Sequence, residues 1–192
     1  MRLIVGLGNP GERYEDTRHN VGFWLLEALA RQKGALFRLE PRFHGEALRV
    51  SLHGQEIWLL KPGTYMNRSG QAVAALARFY KITPDETLVV HDDLDLPPGH
   101  IRFKKGGGHG GHNGLKDIQA HLGTPEYHRL RIGIGHPGVR EQVADYVLHA
   151  PGRLDRQRID QALDECAATL PLILEGELAR ATQRLHSHKP SE

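Results

Sequence analysis

An α/β fold is what the sequence predicts: a three-layer sandwich with a twisted, mixed and largely parallel sheet between helices. Three observations point to it. Leu3-Ile4-Val5 and Thr87-Leu88-Val89-Val90 are short, continuous apolar runs of the kind buried strands show. Segments with apolar residues at helical spacing alternate with them, which is the pattern of helices packed on a sheet. No linker or internal repeat interrupts that alternation. One domain over residues 1–186 is therefore expected, with a polar tail at 187–192, and 192 residues suffice to bury a core.

The elements follow in order. The first strand, Leu3 to Val5, ends at Gly6-Leu7-Gly8-Asn9-Pro10-Gly11. A helix over Val21–Arg31 places Val21, Trp24, Leu25, Ala28 and Leu29 on one face, with Gly34 as its stop. Residues 46–52 and 55–61 alternate about His53-Gly54, a hairpin signal. Ser69 to Tyr80 is a helix with Val73, Leu76, Ala77 and Tyr80 facing the core. The second buried strand runs into His91-Asp92-Asp93. A short strand, His100 to Phe103, precedes Gly106–Gly114, and a helix spans about Asn113 to His121. Leu130 to Ile134 is a further strand. Helical patterns cover Arg140 to Tyr146, Leu154 to Leu170 and Glu177–Leu185, with Pro171 expected to interrupt. The tail after His186 is expected to fray.

Composition narrows the function. A net charge of +2 does not fit a strongly basic nucleic-acid coat. Basic residues do cluster from Arg102 to Lys116 and at Arg129 and Arg131, which favours a local phosphate contact. The single cysteine, Cys166, sits in a helical core pattern and fits a reducing compartment. No apolar run reaches the roughly 18 residues of a membrane span, and the N-terminal run is too short for a secretory signal. A cytoplasmic location is expected. His149, His186 and His188 fall in exposed or terminal stretches and carry no assigned chemistry.

Several motifs carry chemistry. In Gly106-Gly107-Gly108-His109-Gly110-Gly111-His112-Asn113-Gly114 the main chain is bare, so a ligand can approach it closely. Lys104 and Lys105 precede it and a helix start follows, the layout of an anion site. Gly6–Gly11 matches the dinucleotide fingerprint in letters. Pro10-Gly11 reads as a turn, however, and delays the helix that the fingerprint requires. Asn9 is the more informative residue, standing at the carboxyl end of a strand, where open α/β sheets place ligands. Asn20 is a candidate helix cap.

His19 needs a partner, and Asp92, Asp93 and Asp95 lie at the same sheet edge. A carboxylate that accepts an imidazole N–H fixes the tautomer and frees the other nitrogen to take a proton from water. The alternative is a metal on these carboxylates and nearby histidines, but no metal-ligand spacing is present. No G-x-S-x-G elbow supports a serine nucleophile. Asn9, Asn67 and Asn113 all lie beside turns, where neutral amides suit gripping an ester or orienting a water. Tyr65 and Met66 offer an apolar, adaptable rim. A hydrolase acting on an activated ester is the reading these residues support. An RNA-binding module without turnover and a dinucleotide-dependent oxidoreductase are the competing classes.

The assembled blocks resemble bacterial-type peptidyl-tRNA hydrolases. They are Val5–Gly11, Tyr14–Gly22, Lys61–Asn67, His91–Gly99, Gly106–Asp117 and His128–Pro137, in family order. The resemblance implies cleavage of the ester joining a peptide to the 3′ end of tRNA, by a monomeric α/β enzyme with no metal, no cofactor and no obligate protein partner. It implies that His19 is the general base and Asp92 its orienting partner. Asn9, Asn67 and Asn113 then hold substrate and water, and Tyr14, Met66 and His112 line the cleft. Lys104 and Arg131 match a basic pair that meets the tRNA 5′-phosphate, and Arg140 stands at a position that is basic in other members. Lys105 is an additional charge expected to strengthen RNA contact.

Overall fold

The computed structural model describes all 192 residues. Seven strands form one sheet, ordered β2-β3-β4-β1-β5-β7-β6. They are β1 (Leu3–Gly6), β2 (Arg38–Glu40), β3 (Gly45–Leu52), β4 (Gln55–Pro62), β5 (Thr87–Asp93), β6 (Ile101–Lys105) and β7 (His128–Gly133). The central run β4-β1-β5-β7 is parallel, and β2, β3 and β6 add antiparallel margins. The hairpin turns where expected, pairing Leu52 with Gln55 across His53-Gly54.

Helices cover both faces, because alternate residues of the central strands point to opposite sides. One core joins Ile4, Leu88, Val90 and Leu130 to α1 (Val21–Gln32), α5 (Arg153–Leu174) and α6 (Leu178–Ser187). The other joins Leu3, Val5 and Val89 to α2 (Ser69–Phe79) and α3 (Asn113–Leu122). The remaining helix, α4 (Val143–Val147), follows a 3-10 turn at Arg140–Gln142. No helix is long and apolar enough to cross a membrane.

Two glycines draw the functional edge together. A Cβ on Gly6 would overlap the carbonyl of Gly22, and one on Gly22 would overlap the backbone of Leu7 and Val90. The lack of side chains there lets the end of β1 lie directly on the first turn of α1. Leu7 N–H also donates to the Val90 carbonyl of β5 at 3.0 Å. The chain segments bearing Asn9, His19 and Asp92 therefore converge at the carboxyl end of the parallel strands.

The fold departs from expectation at several points, and site residues depart from it as well. The edge strand β2 has no alternating signal, since Arg38 and Leu39 are both exposed. Strands β6 and β7 start and end within two residues of the expected limits, as loop-bounded strands do. Pro171 does not end its helix. It lies in the last turn of α5, where burial of Leu170, Ile173 and Leu174 outweighs the one hydrogen bond a proline removes. The tail does not simply fray, because Ser191 N–H donates to Gln161 Oε1 at 2.9 Å. Finally, Asn20 does not cap α1 with its side chain, which is engaged with Asn9 instead.

Candidate active site

Asp92 stands near the end of β5, 2 % exposed, and its carboxylate organises two imidazoles. His19 Nδ1–H lies 2.9 Å from Oδ2 and 3.0 Å from Oδ1. His112 Nε2–H donates to Oδ1 at 2.9 Å. The other nitrogen of His112 caps α3, accepting from Gly114 N–H at 3.1 Å and Leu115 N–H at 3.4 Å. That capping fixes the His112 tautomer with its proton on Nε2. His19 has no such second partner, so its Nε2 keeps a free lone pair.

The electrostatics suit proton transfer. Burial alone lowers the His19 pKa, but the charge and hydrogen bond of Asp92 outweigh it and leave the group above the ordinary 6.5. Burial pushes the Asp92 carboxyl upward, yet the two imidazoles overcome this and hold it well below the usual carboxylate range.

Asn9 is fixed from three directions. Asn20 Oδ1 accepts its N–H at 2.8 Å, Asn20 Nδ2–H donates to its carbonyl at 2.9 Å, and its own Oδ1 accepts Met66 N–H at 2.7 Å. Only its Nδ2 donors are left without a protein acceptor. Asn67 and Asn113 are exposed, and neither side chain is consumed by a cap. Tyr14 and Tyr65 meet edge to face at 6.3 Å, and neither lines the cleft that holds His19 or the groove that Asn9 heads. Met66 is a correction. Only 4 % exposed, it packs against Gly114 and Ser69 and does not form an adaptable surface.

A cleft of about 520 Å³ joins His19, Asp92, His112 and Asn113 to Lys104, Arg131 and Arg140. Lys104 has no carboxylate partner, and burial followed by the nearby charges of Arg129 and Arg131 lowers its pKa. Arg131 Nε–H donates to Asp93 Oδ2 at 2.7 Å. Asn9 heads a neighbouring groove of about 500 Å³ whose lining includes Pro10, Phe23, Trp24 and Lys61. Lys105 is the second correction. Strand alternation turns it away from Lys104, Arg129 and Arg131, and it pairs with Asp85 at 2.7 Å.

With this geometry established, comparison with known proteins decides the family. The family model described as peptidyl-tRNA hydrolase matches residues 3–192. This chain belongs to the peptidyl-tRNA hydrolase family. A peptidyl-tRNA hydrolase of Bordetella avium is 57 % identical over 190 residues, covering 97 % of this chain and 92 % of the relative. One from Neisseria meningitidis is 58 % identical over 187 residues, covering 97 % of both. The crystal structure of peptidyl-tRNA hydrolase from Acinetobacter baumannii superposes with a TM-score of 0.97 at 47 % identity, over 100 % of this chain and 97 % of that one.

In this peptidyl-tRNA hydrolase family member, His19, Asp92 and His112 bring their ligand atoms within 4.8 Å of one another, close enough to suggest a metal cluster. The hydrogen bonding argues otherwise. His112 Nε2 carries a proton because Nδ1 is accepting, so it has no lone pair to give a cation. Sequence patterns alone do not single out His91, and they give Arg129 only as one of a basic cluster; both are buried beside the site. His91 adjoins Asp92, and Arg129 shares a strand face with Arg131.

Proposed function

We propose that the chain hydrolyses the ester between a peptide and the 3′ ribose of tRNA, with His19 as general base and Asp92 as its orienting partner. The observation that carries this is the asymmetry about Asp92. Two imidazoles donate to one carboxylate, but only His19 keeps an uncommitted nitrogen.

His19 Nε2 removes a proton from a water, whose oxygen attacks the ester carbonyl. Negative charge builds on the carbonyl oxygen, where amide N–H donors stabilise it. Asn9, Asn67 and Asn113 are the neutral donors available. Collapse expels the 3′ oxygen of the ribose, which takes the proton from His19, and the peptide leaves as a carboxylic acid. An alkoxide leaving from an ester needs neither a covalent intermediate nor a metal.

The tRNA end is held through its 5′-phosphate by Lys104 and Arg131, with Arg140 at the cleft mouth. Tyr14 and Tyr65 border the peptide side. We further infer a monomer of one domain, acting in the cytoplasm without cofactor or obligate protein partner. The unpaired ammonium of Lys104 and the convergence of both charge types on one cleft support the placement of the tRNA end.

The test is release of tRNA from an N-blocked aminoacyl-tRNA in excess EDTA. Release is expected. Binding without release would instead favour an RNA-binding module.

A further inference from the structure

A buried chain of hydrogen bonds runs from the glycine stretch to the backbone of Asp92. Arg129 is 4 % exposed and His91 is 1 % exposed. Arg129 Nη1–H donates to the carbonyls of Gly108 at 2.9 Å and Gly106 at 3.3 Å, and its Nε–H donates to His91 Nε2 at 3.2 Å. On its other side, His91 Nδ1–H donates to the Asp92 carbonyl at 2.8 Å. A guanidinium offers no lone pair, so His91 must be neutral with its proton on Nδ1. Burial first, then the His112 ring and the Arg129 charge, push His91 down to about 3.

Two features exceed what packing requires. Arg129 is a buried cation whose hydrogen-bond acceptors are all neutral, a costly arrangement without a paired carboxylate. Asp93, whose charge acts on Arg129, is hydrogen-bonded to Arg131 instead. The second feature is the orientation of the loop. Arg129 draws in the carbonyls of Gly106 and Gly108, and Gln119 Nε2–H draws in that of Gly107 at 3.3 Å. Because each peptide is planar and trans, the following N–H groups of Gly107, Gly108 and His109 face the opposite way. None of them has an acceptor in the protein. Arg129 thus holds the loop with its donors outward, beside the Lys104 ammonium, which lies against Gly107.

We propose that Arg129 and His91 are positioning residues for the hydrolysis, coupling the seating of the glycine loop on substrate to the orientation of Asp92, and through it of His19. The proposal rests on reading His19 and Asp92 as base and orienting partner. Asp92 is gripped at its carboxylate by His19 and His112 and at its carbonyl by His91. A shift of the loop pulls on Arg129, then on His91, then on the peptide unit that carries the Asp92 side chain. The charged and titratable groups facing His91 are His112, Arg129 and Asp93, and those facing His19 are Asp92 and His112.

The test uses two variants at opposite ends of the link. Arg129→Lys keeps the charge but loses the Nε–H to His91. His91→Asn keeps a donor near the Nδ1 position but cannot reach Arg129. In each, kcat at saturating substrate should fall about tenfold or more, as small misplacements of a reacting group do. KM should change by only a few-fold, and the acidic limb of kcat/KM should move down toward 6.5 as Asp92 loosens its hold on His19. NMR titration of the His19 ring in resting enzyme should show the same downward movement. Unchanged kcat and an unmoved His19 titration in a folded variant would overturn the proposal, as would a raised KM alone, which would make Arg129 merely a phosphate ligand. If His91→Asn fails to fold, Arg129→Lys carries the test. A wild-type protein that releases no tRNA would sink the functional reading, while the NMR titration would still decide the link.

Discussion

His19 and His112 face each other across Asp92 with ring centroids 4.9 Å apart, and the same carboxylate accepts an N–H from both. They differ in the far nitrogen. That of His112 is spent on the start of α3, whereas that of His19 is free. One carboxylate therefore anchors an imidazole committed to capping α3 and another whose far nitrogen is uncommitted.

Removing the acceptor should cost most of the activity while leaving the fold. Asp92→Asn keeps the shape of the side chain but can present its amide to His19 and permit the wrong tautomer. By analogy with serine-protease triads, a loss of up to about 10⁴ in kcat is expected. Steady-state kinetics check this, with circular dichroism to confirm folding.

Exchanging the second imidazole should separate capping from catalysis. His112→Ala loses both the α3 cap and a donor to Asp92, and the cap alone is worth about 0.5–2 kcal/mol. Asparagine is a good N-cap, so His112→Asn should recover stability in urea melts relative to His112→Ala. Activity should not recover in proportion, because the shorter amide side chain cannot both cap α3 and reach Asp92 as the imidazole ring does.

The pH dependence follows from the signs of the shifts. His19 must be neutral to act, so kcat/KM should fall as pH drops through a midpoint above 6.5. Stability behaves differently. The raised His19 contributes stabilisation that is present below 6.5 and lost as pH rises through its folded value. His91 is depressed to about 3, so its contribution is present above 6.5 and declines as pH falls from there toward 3. Asp92, also depressed, contributes above about 3.8 and less as pH falls below that. Chemical denaturation should show the protein weakening progressively from pH 6.5 downward, and a His91→Asn variant should lose the upper part of that slope.

The phosphate contacts should be few and local. Lys104→Ala and Arg131→Ala should each raise KM and reduce the slope of log affinity against log salt by about one. Lys105→Ala should change neither, since that side chain pairs with Asp85 away from the cleft. Titrations of substrate affinity between low and moderate salt distinguish the three variants.

Much of this was legible in the sequence because local and global signals agree. The apolar runs at Leu3 and Leu88, the His53-Gly54 turn and the helical spacing at Val21 and Ser69 each demand one conformation. Strand and turn signals narrowed the partner of His19 to Asp92, Asp93 or Asp95 at one sheet edge, and only the family resemblance singled out Asp92, which the hydrogen bonds of the two side chains match. What escaped depends on partners distant in sequence. The Asn20 side chain looks like a cap until the Gly6–Gly22 contact brings Asn9 beside it. Met66 looks like a rim residue until α3 closes over it. Lys104 and Lys105 are adjacent in the chain, and only the pairing of β6 with β7 shows which one faces the cleft. His91 carries no local pattern and Arg129 looks like one more exposed basic residue, because their roles exist only in the hydrogen bonds between them.

The most direct measurement is single-turnover release of tRNA from N-blocked aminoacyl-tRNA, with enzyme in excess and EDTA present, comparing wild type with His19→Ala. General-base catalysis contributes about 10²–10⁴ in rate, so the variant should be slower by a factor in that range while still binding tRNA. Release by His19→Ala within a few-fold of wild type would contradict the assignment of His19 as the base.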